Sequence, residues 1–189
     1  MEQLNYSQSI TYSQFILISN MRKAWEQHVY WTRMLLISIA ERLTDQLAVT
    51  ARILRNSADI ANIFSDFYGI ETANLIENLL TEHLQIGSKL ITALRDGKST
   101  EAEILTKQWY MNADKMAEAF SGINPFYNRE EIRAMLYNHL ELTTQEVMMR
   151  LAGNYAADIE AFERVEREAL MMADYFSSGI IQQFPEMFM

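Results

Sequence analysis

Residues 109–140, WYMNADKMAEAFSGINPFYNREEIRAMLYNHL, hold two stretches of helical periodicity separated by the turn-forming NPFYN at 124–128. Trp109, Asn112 and Met116 share one face of the first stretch. Ile132, Leu136, His139 and Leu140 share one face of the second. Spacings of three and four residues belong to an amphipathic α-helix, whereas a strand would alternate every second residue. A short turn between helices of similar length predicts antiparallel packing.

The same pattern occurs earlier in the chain. A displacement of 56 residues places Asn56 on Asn112, Ala61 on Ala117, Phe64-Ser65 on Phe120-Ser121, Ile76 on Ile132, Leu80 on Leu136 and His83-Leu84 on His139-Leu140, without a gap. A looser third copy surrounds His28, with Trp25 in the place of Leu80 and Val29 in that of Leu84. The breakers follow half that period: Gly69, Gly97, Pro125 and Gly153 stand 28 residues apart, and Thr44-Asp45 falls near the preceding step. Helices are therefore expected at about 13–43, 46–67, 71–96, 100–121, 129–151 and 155–183, with Ser99 and Asn154 as N-caps.

The expected fold is all-α, an up-and-down antiparallel bundle of about six helices carrying an internal helix-turn repeat of about 28 residues. Three hairpins of this size can close on a common core, unlike an open solenoid. One bundle domain is expected over residues 13–184, preceded by a flexible segment at 1–12 and followed by a tail at 185–189 that either frays or folds back.

Composition narrows the function classes. A net charge of -9, with basic residues scattered along the chain, argues against binding a phosphate backbone, so nucleic acid is not an expected partner. The absence of cysteine excludes disulfides, thiolate metal sites and cysteine nucleophiles. The opening MEQLNYSQSITYS is polar and lacks a basic start, and no apolar run approaches the roughly 20 residues of a membrane span. A cytoplasmic protein is expected, with a small ligand or further copies of itself in a homo-oligomer as the partners left open.

All three histidines, His28, His83 and His139, fall inside apolar stripes of alternate helices. The intervening helices place Asn56 and Asn112 in their own stripes, and the last offers Glu168 at its edge. Midpoints between successive members of the series 28, 56, 83, 112, 139 and 168 lie within about two residues of the five breaks. Residues equidistant from the turn of an antiparallel hairpin share one height, so the six should form a polar layer across the bundle. Burying an imidazole without a partner costs on the order of 1–3 kcal/mol, and the layer therefore needs acceptors, a metal or a bound polar molecule.

Two readings stay open. In one, the layer binds a small polar ligand or the imidazoles bind a divalent transition metal such as Zn, Fe, Mn, Ni or Cu, with Asp59, Asp114 or Glu168 as carboxylate ligands or as acceptors behind the rings, supporting hydrolytic or redox chemistry. In the other, the layer is a non-catalytic register device, with histidine paired to asparagine and to the hydroxyls of Thr32 and Thr143 in a structural or protein-interaction bundle. Position +4 from each histidine is Thr32, Gly87 or Thr143; threonine can orient a ring, and Gly87 leaves room for a ligand or for close packing.

Other chemistries lack their residues. A di-iron carboxylate bundle needs Glu-x-x-His, but Trp25, Leu80 and Leu136 occupy the position three before each histidine. No strand or glycine-rich phosphate loop supports nucleotide binding, and no serine stands in a nucleophile turn. The pairs Met148-Met149 and Met171-Met172 read as core filling. Arg22 and Arg133, each six residues before a histidine, read as salt-bridge partners or as a grip for an anionic ligand.

Trp25, His28, Trp31 and Arg33, then Leu54-Arg55-Asn56, His83, Trp109 to Asp114, His139-Leu140 and Thr143 to Glu146, together resemble a bacterial family of small all-helical proteins whose members sometimes carry the automatic label acetylglutamate kinase. The resemblance spans roughly Lys23 to Pro185 and implies a pattern of polar residues without assigning a reaction; it departs at Lys115, where relatives carry a second acid. The DinB-like bundles, which also hold three histidines within helices, are similar at fold level, but their His-x-x-x-His spacing is missing here.

Overall fold

The computed structural model describes residues 10–189. Most of the expected segment 1–12 lies outside the described residues. Five α-helices follow in order: α1 (Tyr12–Ala40), α2 (Gln46–Arg95), α3 (Ser99–Ile123), α4 (Arg129–Leu151) and α5 (Tyr155–Gln183), with a 3-10 turn at Pro185–Phe188. No strand occurs among the described residues.

A continuous 50-residue helix such as α2 would extend about 75 Å at 1.5 Å per residue. It does not, because Gly69 adopts φ 78 and ψ 173 in its middle, a backbone region open essentially to glycine. Both termini of α2 consequently lie beside the end of α1. Ser38 Oγ donates to Asp45 at 2.6 Å ahead of the first arm, and Arg95 Nη1 donates to the Ile39 carbonyl at 3.0 Å from the end of the second. At the opposite end of the bundle, Tyr68 donates to Gln183 at 2.9 Å and accepts from Asn124 at 2.8 Å. The two arms, residues 46–68 and 70–95, therefore run antiparallel. Sequential neighbours pack against one another throughout, and α5 returns to α1 to close the ring.

The helix ends are chemically specified. Thr11 and Gln14 form a capping box on α1, and Asn128 and Asn154 accept from first-turn amides of α4 and α5. The expected cap Ser99 is instead the first residue of α3. α1 stops about three residues short of the expected boundary because Arg42 takes φ 55 and the Leu43 amide donates back to Ser38 O at 2.9 Å. This is the left-handed closure that Gly97 and Gly153 perform at the ends of α2 and α4.

The core has two compartments. An aromatic one, holding Phe64, Phe120 and Phe176, fills the Gly69 end, and an aliphatic one, holding Leu36, Ile39, Ile53 and Ile91, fills the other. Phe188 stacks on Phe67 at 5.9 Å, and its carbonyl accepts from Thr11 at 2.9 Å, so the C-terminal tail folds back over the aromatic end. No helix of the described residues is long and apolar enough to cross a membrane.

Candidate metal centre

Between the compartments, α1 contributes His28, the second arm of α2 contributes His83, and α4 contributes His139, all buried. The His28 ring centroid lies 6.5 Å from that of His83 and 6.0 Å from that of His139. The neighbouring rods supply Asn56, Asn112 and Glu168, also buried.

Each histidine turns Nδ1 toward one of these partners: His28 lies 3.1 Å from Asn56 Oδ1, His83 3.0 Å from Asn112 Oδ1, and His139 3.2 Å from Glu168 Oε2. The third pair is within reach but out of hydrogen-bond alignment, leaving His139 Nδ1 and both Glu168 oxygens without a bond. Backbone contacts fix the tautomers of the first two. Asn56 Nδ2 donates to the Ala24 carbonyl at 3.0 Å, and Asn112 Nδ2 donates to the Leu79 carbonyl at 3.1 Å and to Glu82 at 2.9 Å. Those oxygens only accept, so each asparagine must present Oδ1 to the imidazole, and each imidazole must carry its proton on Nδ1. His139 has no such lock, because its Nδ1 and Glu168 make no hydrogen bond.

In His28 and His83, Nε2 is left with its lone pair. None of the hydrogen bonds among the described residues involves an Nε2 of these rings, and all three rings line one internal cavity of about 20 Å³. Asn56, Asn112 and Glu168, which face Nδ1, do not border it. Burial, reinforced by the other histidines of the layer, pushes His28 down to about 4 and His83 down to about 3, so both are neutral near pH 7. Ring separations of 6.0 and 6.5 Å exceed the roughly 5 Å set by tetrahedral coordination at a Zn–N distance of about 2.0–2.1 Å. Accordingly, no three His, Asp or Glu side chains among the described residues stand as a ready coordination group.

Trp109 walls the cavity, donating its indole N–H to the His83 carbonyl at 3.1 Å. A Cβ on Gly87 would lie 3.3 Å from Trp109 Cζ2, so that glycine admits the indole. Thr32 and Thr143 also line the cavity, but neither hydroxyl bonds an imidazole or any other group.

Two of the expected carboxylates lie elsewhere. Asp59 is held on the partly exposed face of α2 by Arg52 at 3.5 Å and Arg55 at 3.9 Å. Asp114 points outward to Arg133 at 2.9 Å and accepts from Tyr137 at 2.9 Å. Helical phase explains both: each follows the layer asparagine by two or three residues, which rotates it off the core face. Arg22 pairs with Asp174 at 2.6 Å, and Arg133 with Asp114, so both are salt-bridge partners.

The sequence reading missed a buried ion cluster beside the layer. Arg33 Nη1 donates to Glu146 at 2.6 Å and to Asp158 at 2.7 Å, and Arg150 approaches Asp158 at 3.5 Å and donates to Glu41 at 2.9 Å. Glu146 and Asp158 are 2% and 0% exposed. Burial outweighs Arg33 and, with Asp158, pushes Glu146 up to about 7. The available signal was spacing: Glu146 follows His139 by seven residues, two helical turns on the same face. Asp158, in the first turn of α5, reads instead as a solvent-facing dipole partner.

Fold and site define an all-α bundle with three imidazoles converging on one cavity. Compared with protein-family models, curated proteins and solved structures, the chain matches none, and the family resemblance rests on its quoted residues alone.

Proposed function

We propose that this chain is a metal-binding helical bundle in which His28, His83 and His139 hold one divalent transition ion through Nε2. The observation supporting it is that His28 and His83 have Nδ1 committed to an asparagine, which leaves Nε2 unbonded, and that both line one cavity together with His139. Imidazole ligands are characteristically oriented in this way, with the outer N–H given to an amide, carbonyl or carboxylate. An ion draws the rings inward by roughly 1 Å, within the reach of side-chain adjustment on packed helices. Three imidazole nitrogens suit Zn, Fe, Ni or Cu, and Mn less well, and an open fourth position supports hydrolytic or redox chemistry. In this reading the two arms of α2 count as separate rods, and the 56-residue repeat makes three hairpins that each contribute one ligand.

The test is elemental analysis of protein purified without a histidine tag. One ion per chain, lost in His83→Ala, is expected; substoichiometric metal unchanged by that substitution would remove the reading.

A second reading, a structural bundle whose polar layer only sets helix register, draws on the His28–Asn56 and His83–Asn112 bonds, which are complete without an ion. It predicts that His83→Leu combined with Asn112→Leu leaves stability near the wild type whether or not metal is present.

A further inference from the structure

Threonine within a helix commonly returns its hydroxyl to the carbonyl four residues back. Thr50, Thr92, Thr106 and Thr144 do so here, at 2.7, 2.9, 2.8 and 2.8 Å. Thr32 and Thr143 do not. Each follows a layer histidine by four residues, each borders the histidine cavity, and the Oγ1 of each is buried without a partner. The contrast is sharpest on α4, where Thr144 makes the local bond and Thr143 beside it leaves its hydroxyl free.

The third equivalent position, four residues after His83, is Gly87, and the Trp109 indole fills the space beside it. Around the cavity, one helical turn from the imidazoles, stand two free hydroxyls and one aromatic wall. The cavity is small, about 20 Å³, so a ligand that joins an ion there is no larger than a water, which needs roughly 10–15 Å³. Leu35, Leu84 and Ile91, with Ser88, complete the lining.

We propose that Thr32 and Thr143 hold a single-oxygen ligand, water or hydroxide, on the open face of the ion bound by His28, His83 and His139. This rests on the metal-binding reading. A hydroxyl both donates and accepts, so the pair can donate to a metal-bound hydroxide or accept from a metal-bound water. The site thereby favours one small oxygen ligand.

Fluoride is the probe, being a one-atom hydrogen-bond acceptor that takes the place of hydroxide. Cobalt(II) is loaded into the wild type and into the Thr32→Val/Thr143→Val double variant, the cobalt-to-protein ratio is measured, and fluoride is titrated by visible absorption. Equal cobalt loading with fluoride bound roughly tenfold or more weakly by the double variant is expected, the size of a lost hydrogen bond to a charged acceptor. Thr32→Ser/Thr143→Ser, which keeps the hydroxyls, should bind fluoride as the wild type does. Fluoride affinity equal in the valine variant and the wild type, or a cobalt-loaded wild type that binds no fluoride, overturns the proposal and leaves the metal site standing. A wild type that takes up no cobalt, zinc or copper removes the metal-binding reading itself. Should the double variant fail to fold, the single valine variants decide, an unchanged fluoride affinity in both overturning the proposal.

Discussion

Asn112 controls one imidazole through two bonds at once, taking its orientation from the Leu79 carbonyl and imposing it on His83. Asn112→Leu leaves the His83 N–H buried without an acceptor, and is expected to lower unfolding free energy by about 1–3 kcal/mol in urea denaturation. In the metal-binding reading, zinc affinity measured against a competing chelator should fall about 10–100-fold. The histidines also make stability depend on pH. An unfolded imidazole takes its proton near 6.5, whereas folded His28 and His83 resist until about 4 and about 3. Between those values the unfolded state binds more protons, so their contribution is complete above pH 6.5 and is lost as pH falls toward 3–4, by up to roughly 1.4 kcal/mol per pH unit for each ring. Glu146, pushed up to about 7, acts oppositely between 7 and its ordinary 4.5, because there the folded state binds the extra proton. Two rings outweigh one carboxyl, and the urea midpoint of the metal-free protein should be lower at pH 4.5 than at pH 7. An unchanged midpoint would contradict the burial of the rings.

At the scale of elements, the sharpest sequence-to-structure link is Gly69. With a φ of 78 and ψ of 173, it reverses α2, and Gly69→Ala is expected to cost about 1–3 kcal/mol in thermal or chemical unfolding despite open space around its Cα. Gly179 acts by a different mechanism: a Cβ there would strike the Tyr127 ring, whose hydroxyl donates to the Phe176 carbonyl at 2.6 Å. Overpacking of this kind in Gly179→Ala should cost about 1–3 kcal/mol. The helices were legible because apolar spacing and breakers agree, and the heights of the histidines were legible because turns midway between polar residues fix their level. Asp59 and Asp114 were misplaced because sequence distance from a layer residue was taken without its angle around the helix. Asp158 was missed because its burial depends on α1 and α4 crossing over the start of α5, which no local pattern records.

The whole molecule is held together around two polar strata, the histidine layer and the Arg33 cluster, that separate or border apolar compartments. Asp158→Asn removes the charge that Arg33 and Arg150 share inside the bundle, and should destabilise the protein by about 3–5 kcal/mol, measured by urea unfolding. An ion bound at the histidines should stabilise the entire fold, by about 2.7 kcal/mol at a free concentration 100 times Kd. A differential scan with and without zinc checks this, and His139→Ala should abolish the increment while leaving a folded protein.

The reversal at Gly69 bears on assembly from the unfolded chain. His28, His83 and His139 are 55 and 56 residues apart and sit on α1, the second arm of α2 and α4, so the site is assembled only by contacts distant in sequence. In the metal-binding reading, an ion spanning them fastens contacts of long sequence separation late in folding, and chelating it should quicken unfolding more than it slows refolding.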